Sequence, residues 1–389
     1  MVAIVTNAPR VGTVLAAFVG YGALWGPYMA MLPAVKHATG ASEAQLGMAL
    51  LVGALAAMPA MLFVGKLLDR FGRLVAVATF MLFALCAALP SLAGSVPELV
   101  FAVALFGLSS GACNVVVVAL AATVEASSGT RMMIRSHALF SVGVLVCSIA
   151  TGVARSYGIP GQIITVILAL TIGAGAFAAR GYLPHRLVRQ TRQPRGRRRL
   201  GRSAFLLCLL AALAMVLANG VQQWSAIFLV DVVGAPVGLS SAAPGIFAAG
   251  MILGRLGGHW LCAHVADRSV LLASGVLSGV SVLMISLAET ATYGLLGTVL
   301  VGASISVATP IAYTRIARGA EPPDRGAAIG SAACMANAGE LLGPAMVGQL
   351  AGFLDLRTAM AALTLVSVMI TLLALSVPTR SPNQLSGTP

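Results

Sequence analysis

Long apolar runs recur along this chain from one end to the other, separated by mostly short polar connections. Twelve can be drawn, at about 12–35, 44–64, 74–93, 98–124, 136–156, 161–179, 204–230, 242–263, 270–288, 293–314, 327–352 and 358–377. Each has about the length a helix needs to cross the hydrocarbon core of a bilayer. Only 9% of the 389 residues are charged and 59% are hydrophobic, whereas soluble domains carry about 25% charged residues. Such a chain cannot cover a water-facing surface. Barrel strands would be shorter and would alternate in polarity, and a segment in lipid must satisfy its own backbone hydrogen bonds. The expected fold is therefore all-α, an integral membrane protein of twelve transmembrane helices.

The longest connection, 180–202, divides the runs six and six. It carries Arg186, Arg189, Arg192, Arg195, Arg197, Arg198 and Arg199. The predicted organisation is a six-helix bundle over 1–180, a basic cytoplasmic linker over 181–203, a second bundle over 204–379 and a cytoplasmic tail over 380–389. With the N-terminus in the cytoplasm, about twenty Lys and Arg lie inside and about three (Lys36, Arg155, Arg357) outside, the bias the positive-inside rule requires. The net charge of +13 then serves anionic headgroups, above all at 195–199. A nucleic-acid role is not expected, since no aromatics interleave the basic run. Six cysteines fall inside apolar runs without a Cys-x-x-Cys pair, so no disulfide framework, metal or cofactor is expected. No cleavable signal is apparent.

The stretch 65–73 packs Lys66, Asp69, Arg70 and Arg73 between two apolar runs, with Gly65 and Gly72 at its ends. Charges at bilayer depth cost roughly 2.5–3.5 kcal/mol each, so this is read as a tight turn at the membrane surface. Asp69 can accept from helix N-terminal amides or pair with Arg70 or Arg73. A weaker counterpart, Asp267 with Arg268, follows the second helix of the second half. Gly143 and Gly152 in the fifth run, and Gly339 and Gly348 in the eleventh, share a spacing of nine. Two six-helix pseudo-repeats are the plan of an alternating-access carrier.

The 65–73 stretch resembles the signature loop between helices two and three of the major facilitator superfamily, with Leu68 departing from its small-residue position. Other stretches resemble the fucose-permease-like bacterial branch: Pro33-Ala34-Val35-Lys36, the run from His137 to Gly143, Trp224 to Leu229 with Asp231, Gly254-Arg255-Leu256-Gly257-Gly258, and Gly343-Pro344. The resemblance implies a secondary carrier coupled to a proton or ion gradient, multi-pass in the bacterial cytoplasmic membrane with both termini inside, and a monomer. It implies no particular cargo. An Arg in the fourth run and a Gly-Pro pair in the fifth, usual in drug/proton antiporters, are absent.

A carrier needs polar or aromatic groups facing its cavity at mid-depth. Tyr21, Trp25 and Tyr28 share one face of the first helix, beside a break expected at Gly26-Pro27. Asn219, Gln222, Gln223 and Trp224 crowd the seventh, where amides are expensive in lipid unless they face water or a ligand. Asn114, Tyr313 and Asn337 are further cavity candidates. Glu340, before Gly343-Pro344, is read as a buried carboxyl that takes up and releases a proton, with binding of a cationic group or a structural pair as alternatives. Gly65, Asp69, Arg70, Gly72, Arg73, Glu125, His137 and Arg255 are assigned to gating, Arg255 and His259 near Asp267. No nucleophile–base pair, His-Glu-x-x-His helix or carboxylate cluster lies at depth, so no enzyme is expected. Uptake of a sugar-like polar solute is the reading; proton-driven efflux of drugs or amphipathic metabolites is the alternative.

Overall fold

The computed structural model describes residues 9–129, 132–183, 201–321 and 324–377, except the side chains of Ile134 and His259. The basic residues from Arg186 to Arg199 and the tail at 380–389 lie outside this set. Regular structure among the described residues is helical throughout.

The helices are α1 (Val11–Thr39), α2 (Glu43–Phe71), α3 (Arg73–Ala88), α4 (Val96–Ser128), α5 (Met132–Ser156), α6 (Gly161–Ala178), α7 (Arg202–Asp231), α8 (Val237–His264), α9 (Asp267–Ser286), α10 (Ala291–Ile305), α11 (Ala308–Gly319), α12 (Arg325–Phe353) and α13 (Leu356–Leu375). Short 3₁₀ turns continue α3 (Leu89–Leu92) and α6 (Ala179–Tyr182). The tenth apolar run is thus two helices. Pro310, third in α11, has no N–H to offer the carbonyl of Ser306, where the rod breaks. The break expected at Gly26-Pro27 is absent: α1 runs on through Pro27 and Pro33. Packing holds it, because α5 presses against this face at Gly22 and Gly26.

Among the described residues, eleven spans are long and apolar enough to cross a membrane, α10 and α11 counting together. Helix α12 has 29 residues but is not among them. Asn337, Glu340, Gln349 and its several glycines lower its hydropathy. Large apolar side chains stand exposed on α2 (Leu62, Phe63), α6 (Ile167, Leu170) and α9 (Leu277, Val280), as lipid-facing surfaces require.

The chain separates into two compact units, Met1–Gln190 with Pro236–Gly245, and Thr191–Ala235 with Ile246–Pro389. In the first, α1 packs on α5, α2 on α4 and α3 on α6. In the second, α7 packs on α12 and α9 on α13, and α8 meets α10 at Gly250, Gly254 and Gly302. Counting α10 and α11 as one span, the two halves pair their helices in the same order, as two six-helix pseudo-repeats. The crossings are made by small residues. A Cβ on Gly143 would strike the carbonyl of Val19, and one on Gly339 that of Ala212. Lipid provides no hydrophobic drive between helices, so close backbone packing must hold them together.

Connections are capped tightly. Ser42 and Gln45 form a reciprocal capping box at the start of α2. Lys36 reaches Glu43 at 2.6 Å across the α1–α2 turn.

Candidate solute-binding site

The first unit contributes an aromatic set. The i, i+4, i+7 spacing does bring Tyr21, Trp25 and Tyr28 onto one side of α1, against α4. Tyr21 Oη lies 2.9 Å from Ser110 Oγ, and Trp25 Nε1 donates to the same oxygen at 3.1 Å. The Tyr28 ring stacks on Phe106 at 3.9 Å, and Trp25 stands edge-on to both rings. Tyr21 packs between Phe83 and Phe140, each 5.3 Å away. Tyr21 and Tyr28 are buried and Trp25 is half-buried. Of the three, Trp25 therefore keeps the most accessible ring surface, oriented by Ser110. Ser110 was not expected; the Ser109-Ser110 pair inside an apolar run was its only trace in the sequence. Asn114, one turn further along α4, is half-buried, and no hydrogen bond to its side chain is present among the described residues.

The second unit contributes amides and an acid. Asn219 turns its amide back to the carbonyl of Met215 at 3.1 Å. Gln222 and Gln223 are half-buried, and their side-chain amides have no hydrogen-bond partner among the described residues. Trp224 differs from its expected place in the cavity. It is fully buried, and its indole N–H donates to the carbonyl of Pro344 at 2.8 Å. One residue is about 100° of helix rotation, enough to send Gln223 and Trp224 to different surroundings.

Glu340 leaves much of its side chain accessible, as does Asn337 one turn before it, while protein packed around its carboxyl group desolvates it. Gly339 is the residue that closes on α7, so its neighbour in sequence is rotated away from that contact. Half-buried Tyr313 of α11 lies within electrostatic reach of Glu340 and of Cys208 on α7. Pro344 removes the N–H that would bond the Glu340 carbonyl.

The 65–73 stretch is mostly helix. Helix α2 continues through Arg70 to Phe71, and Gly72 alone turns the chain, ending α2 and starting α3 with φ 49° and ψ −116°. Gly65 makes no close approach, since a Cβ there would meet nothing within 4 Å. Asp69 is exposed and makes no ion pair or hydrogen bond among the described residues, while Arg70 lies 5.1 Å from the ring of Phe71. Arg73 is half-buried. Glu125 caps α5, accepting from the Met133 amide at 2.9 Å. His137 packs edge-on against Phe18 at 5.3 Å. Asp267 pairs with Arg315 at 3.4 Å, and Arg255 is half-buried on α8.

The profile of the Major Facilitator Superfamily matches residues 13–269 and 245–389. An uncharacterised transporter of Sinorhizobium fredii, y4wD, is 31% identical over 371 residues, covering 93% of this chain and 96% of the relative. An uncharacterised MFS-type transporter of Yersinia pestis is 29% identical, with 93% and 94% covered. Among solved structures, the nucleoside transporter NupG superposes with a TM-score of 0.73 at 16% identity, over 94% of this chain and 99% of that one. A bacterial homologue of the human lysosomal transporter Spinster, inward-facing, gives 0.70 at 15% identity, with 94% and 96% covered. At these identities the structural likeness speaks for the fold alone.

Proposed function

The chain belongs to the Major Facilitator Superfamily, a membrane transporter family, and on that premise we propose that it takes up a small polar, sugar-like solute by proton-coupled alternating access. The observation that carries this reading is the pair of half-buried amides in α7, Gln222 and Gln223, which have no side-chain hydrogen-bond partner among the described residues. Amides within a membrane span are costly unless a ligand or water satisfies them. During the cycle the solute meets these amides; within the first unit, Trp25, whose ring Ser110 holds in place, offers a stacking face of its own. Glu340, with Asn337 one turn before it and Tyr313 within electrostatic reach, takes up and gives back the coupling proton. Asn114 and Asn219 add hydrogen-bonding capacity, and Trp224 and Tyr28 position the groups that touch the solute.

The bundles at 1–180 and 204–379 act as the alternating bodies of a monomer. The charge count supports cytoplasmic termini and a bacterial plasma-membrane location, with the basic linker against anionic headgroups. Asp69, Arg70, Gly72 and Arg73, together with Glu125, His137 and Arg255, serve the cytoplasmic gate. Efflux of an amphipathic compound is the second reading, favoured by the apolar rings around Trp25.

A thermal-shift panel of monosaccharides, nucleosides and lipophilic cations identifies the solute class. With the solute found, Gln223→Ala weakens its binding about tenfold, the loss of one or two hydrogen bonds, while His264→Ala leaves it unchanged. In proteoliposomes, Glu340→Gln abolishes accumulation driven by a pH gradient and retains solute counterflow. Full pH-driven accumulation in that variant refutes the coupling role.

A further inference from the structure

An open pocket of about 320 Å³ lies in the first unit, lined by none of the residues placed in the solute-binding site. It lies between the C-terminal part of α1, the α5–α6 turn and the start of α8, which belongs to this unit. Its walls are apolar at Met31, Ala34, Ile159 and Val237, and its polar groups are Arg155 and Gln162. The volume is near the lower end of small-molecule sites, about 300–1,000 Å³.

Arg155 is the informative residue. It is half-buried, and its Nη1 donates to Ser241 Oγ at 2.7 Å. Among the described residues, no carboxylate pairs with it. The other two basic residues assigned to the outer face are differently placed. Lys36 has Glu43 at 2.6 Å. Arg357 donates to the carbonyls of Ser286 and Ala288 at 2.6 and 3.3 Å. Arg155 alone of the three has a single neutral hydroxyl as its protein partner, with most of its five N–H donors unused. The first residues of α6, Gly161 and Gln162, also line the cavity, adding the positive end of a helix to the same space.

We propose that this cavity is a second ligand site, taking one anionic group attached to an apolar body. The free edge of the Arg155 guanidinium grips two oxygens of the anion in fork geometry. The hydrocarbon part lies against Met31, Ile159 and Val237. One cation calls for a monoanion. A free carboxylate and an anionic lipid headgroup share this chemistry.

The test uses the purified full chain in nanodiscs of phosphatidylcholine alone, titrated calorimetrically with benzoate as the probe and benzamide as its uncharged isostere. Saturable binding of benzoate and none of benzamide is expected. Arg155→Gln weakens benzoate binding about tenfold or more, and Arg155→Lys, which keeps the charge and loses the fork, falls between. Val237→Trp fills the cavity without touching the cation and abolishes binding. Glu340→Gln and Gln223→Ala leave it intact, separating this site from the transport site. Adding phosphatidylglycerol distinguishes the sources: unchanged affinity assigns the cavity to a free carboxylate, and competitive loss assigns it to the lipid headgroup. The proposal is overturned if benzoate shows no saturable binding in phosphatidylcholine discs, or binds folded Arg155→Gln or Val237→Trp as it binds the unaltered protein.

Discussion

Replacing Trp224 by Phe removes the indole N–H that α7 offers to α12 at Pro344, where α12 already lacks a backbone hydrogen bond. The carbonyl of Pro344 then loses a buried donor, at a cost of about 1 kcal/mol. The expected result is a lower Tm with a smaller loss of solute affinity than Gln223→Ala gives. A second prediction concerns Asp355, which caps α13 by accepting from the Thr358 amide at 2.9 Å and its hydroxyl at 2.6 Å. Those bonds, the hydroxyl first, hold its carboxyl below the ordinary carboxylate value. A depressed folded value means stability that is complete above the unfolded value, about 3.9, and is lost as pH falls through the lower folded one. Asp355→Ala therefore lowers Tm at neutral pH, and its gap to the unaltered protein closes below about pH 4. At this scale the sequence was partly legible. The shared face of Tyr21, Trp25 and Tyr28 follows from helical spacing. The convergence of two of them on Ser110 does not, because it depends on which helix lies opposite.

Helices in this protein are held together at crossings where backbones nearly touch. Gly143→Val places side-chain atoms where the Val19 carbonyl already stands. It is expected to separate α1 from α5, with a large loss of Tm and poor yield of folded protein. Gly175→Ala, in the interior of α6 with open space around its Cβ position, is neutral or stabilises by about 0.5–1 kcal/mol. Thermal unfolding of the two variants, side by side, separates crossing glycines from incidental ones. The matching Gly143–Gly152 and Gly339–Gly348 spacings anticipated part of this. Gly143 and Gly339 both sit at crossings, α1 with α5 and α7 with α12. The break between α10 and α11 was missed because apolar content cannot register a lost backbone bond. The continuity of α1 through Pro27 was missed for the converse reason, since packing against α5 holds a helix that local chemistry weakens.

At the scale of the whole molecule, the proposed topology of twelve crossings predicts both chain ends on one side. Single cysteines introduced at residue 3 and residue 387, in a background without the native six, are expected to react with an impermeant maleimide only after the inner face is exposed. Opposite sidedness would require an odd number of crossings and would remove the basis for alternating access. The sequence by itself determined that the chain is a membrane protein, that it is helical and that it comes in two similar halves. Those properties arise from segment length, the cost of charge in lipid and repeated local patterns, all of which are written along the chain. Only the tertiary structure decided that Trp224 braces Pro344, that Glu340 stays accessible beside a buried Gly339, and that Arg155 lines a pocket with no carboxylate pairing it among the described residues. Each depends on which neighbour a rotation of about 100° brings into reach, and that is set by packing between residues far apart in sequence.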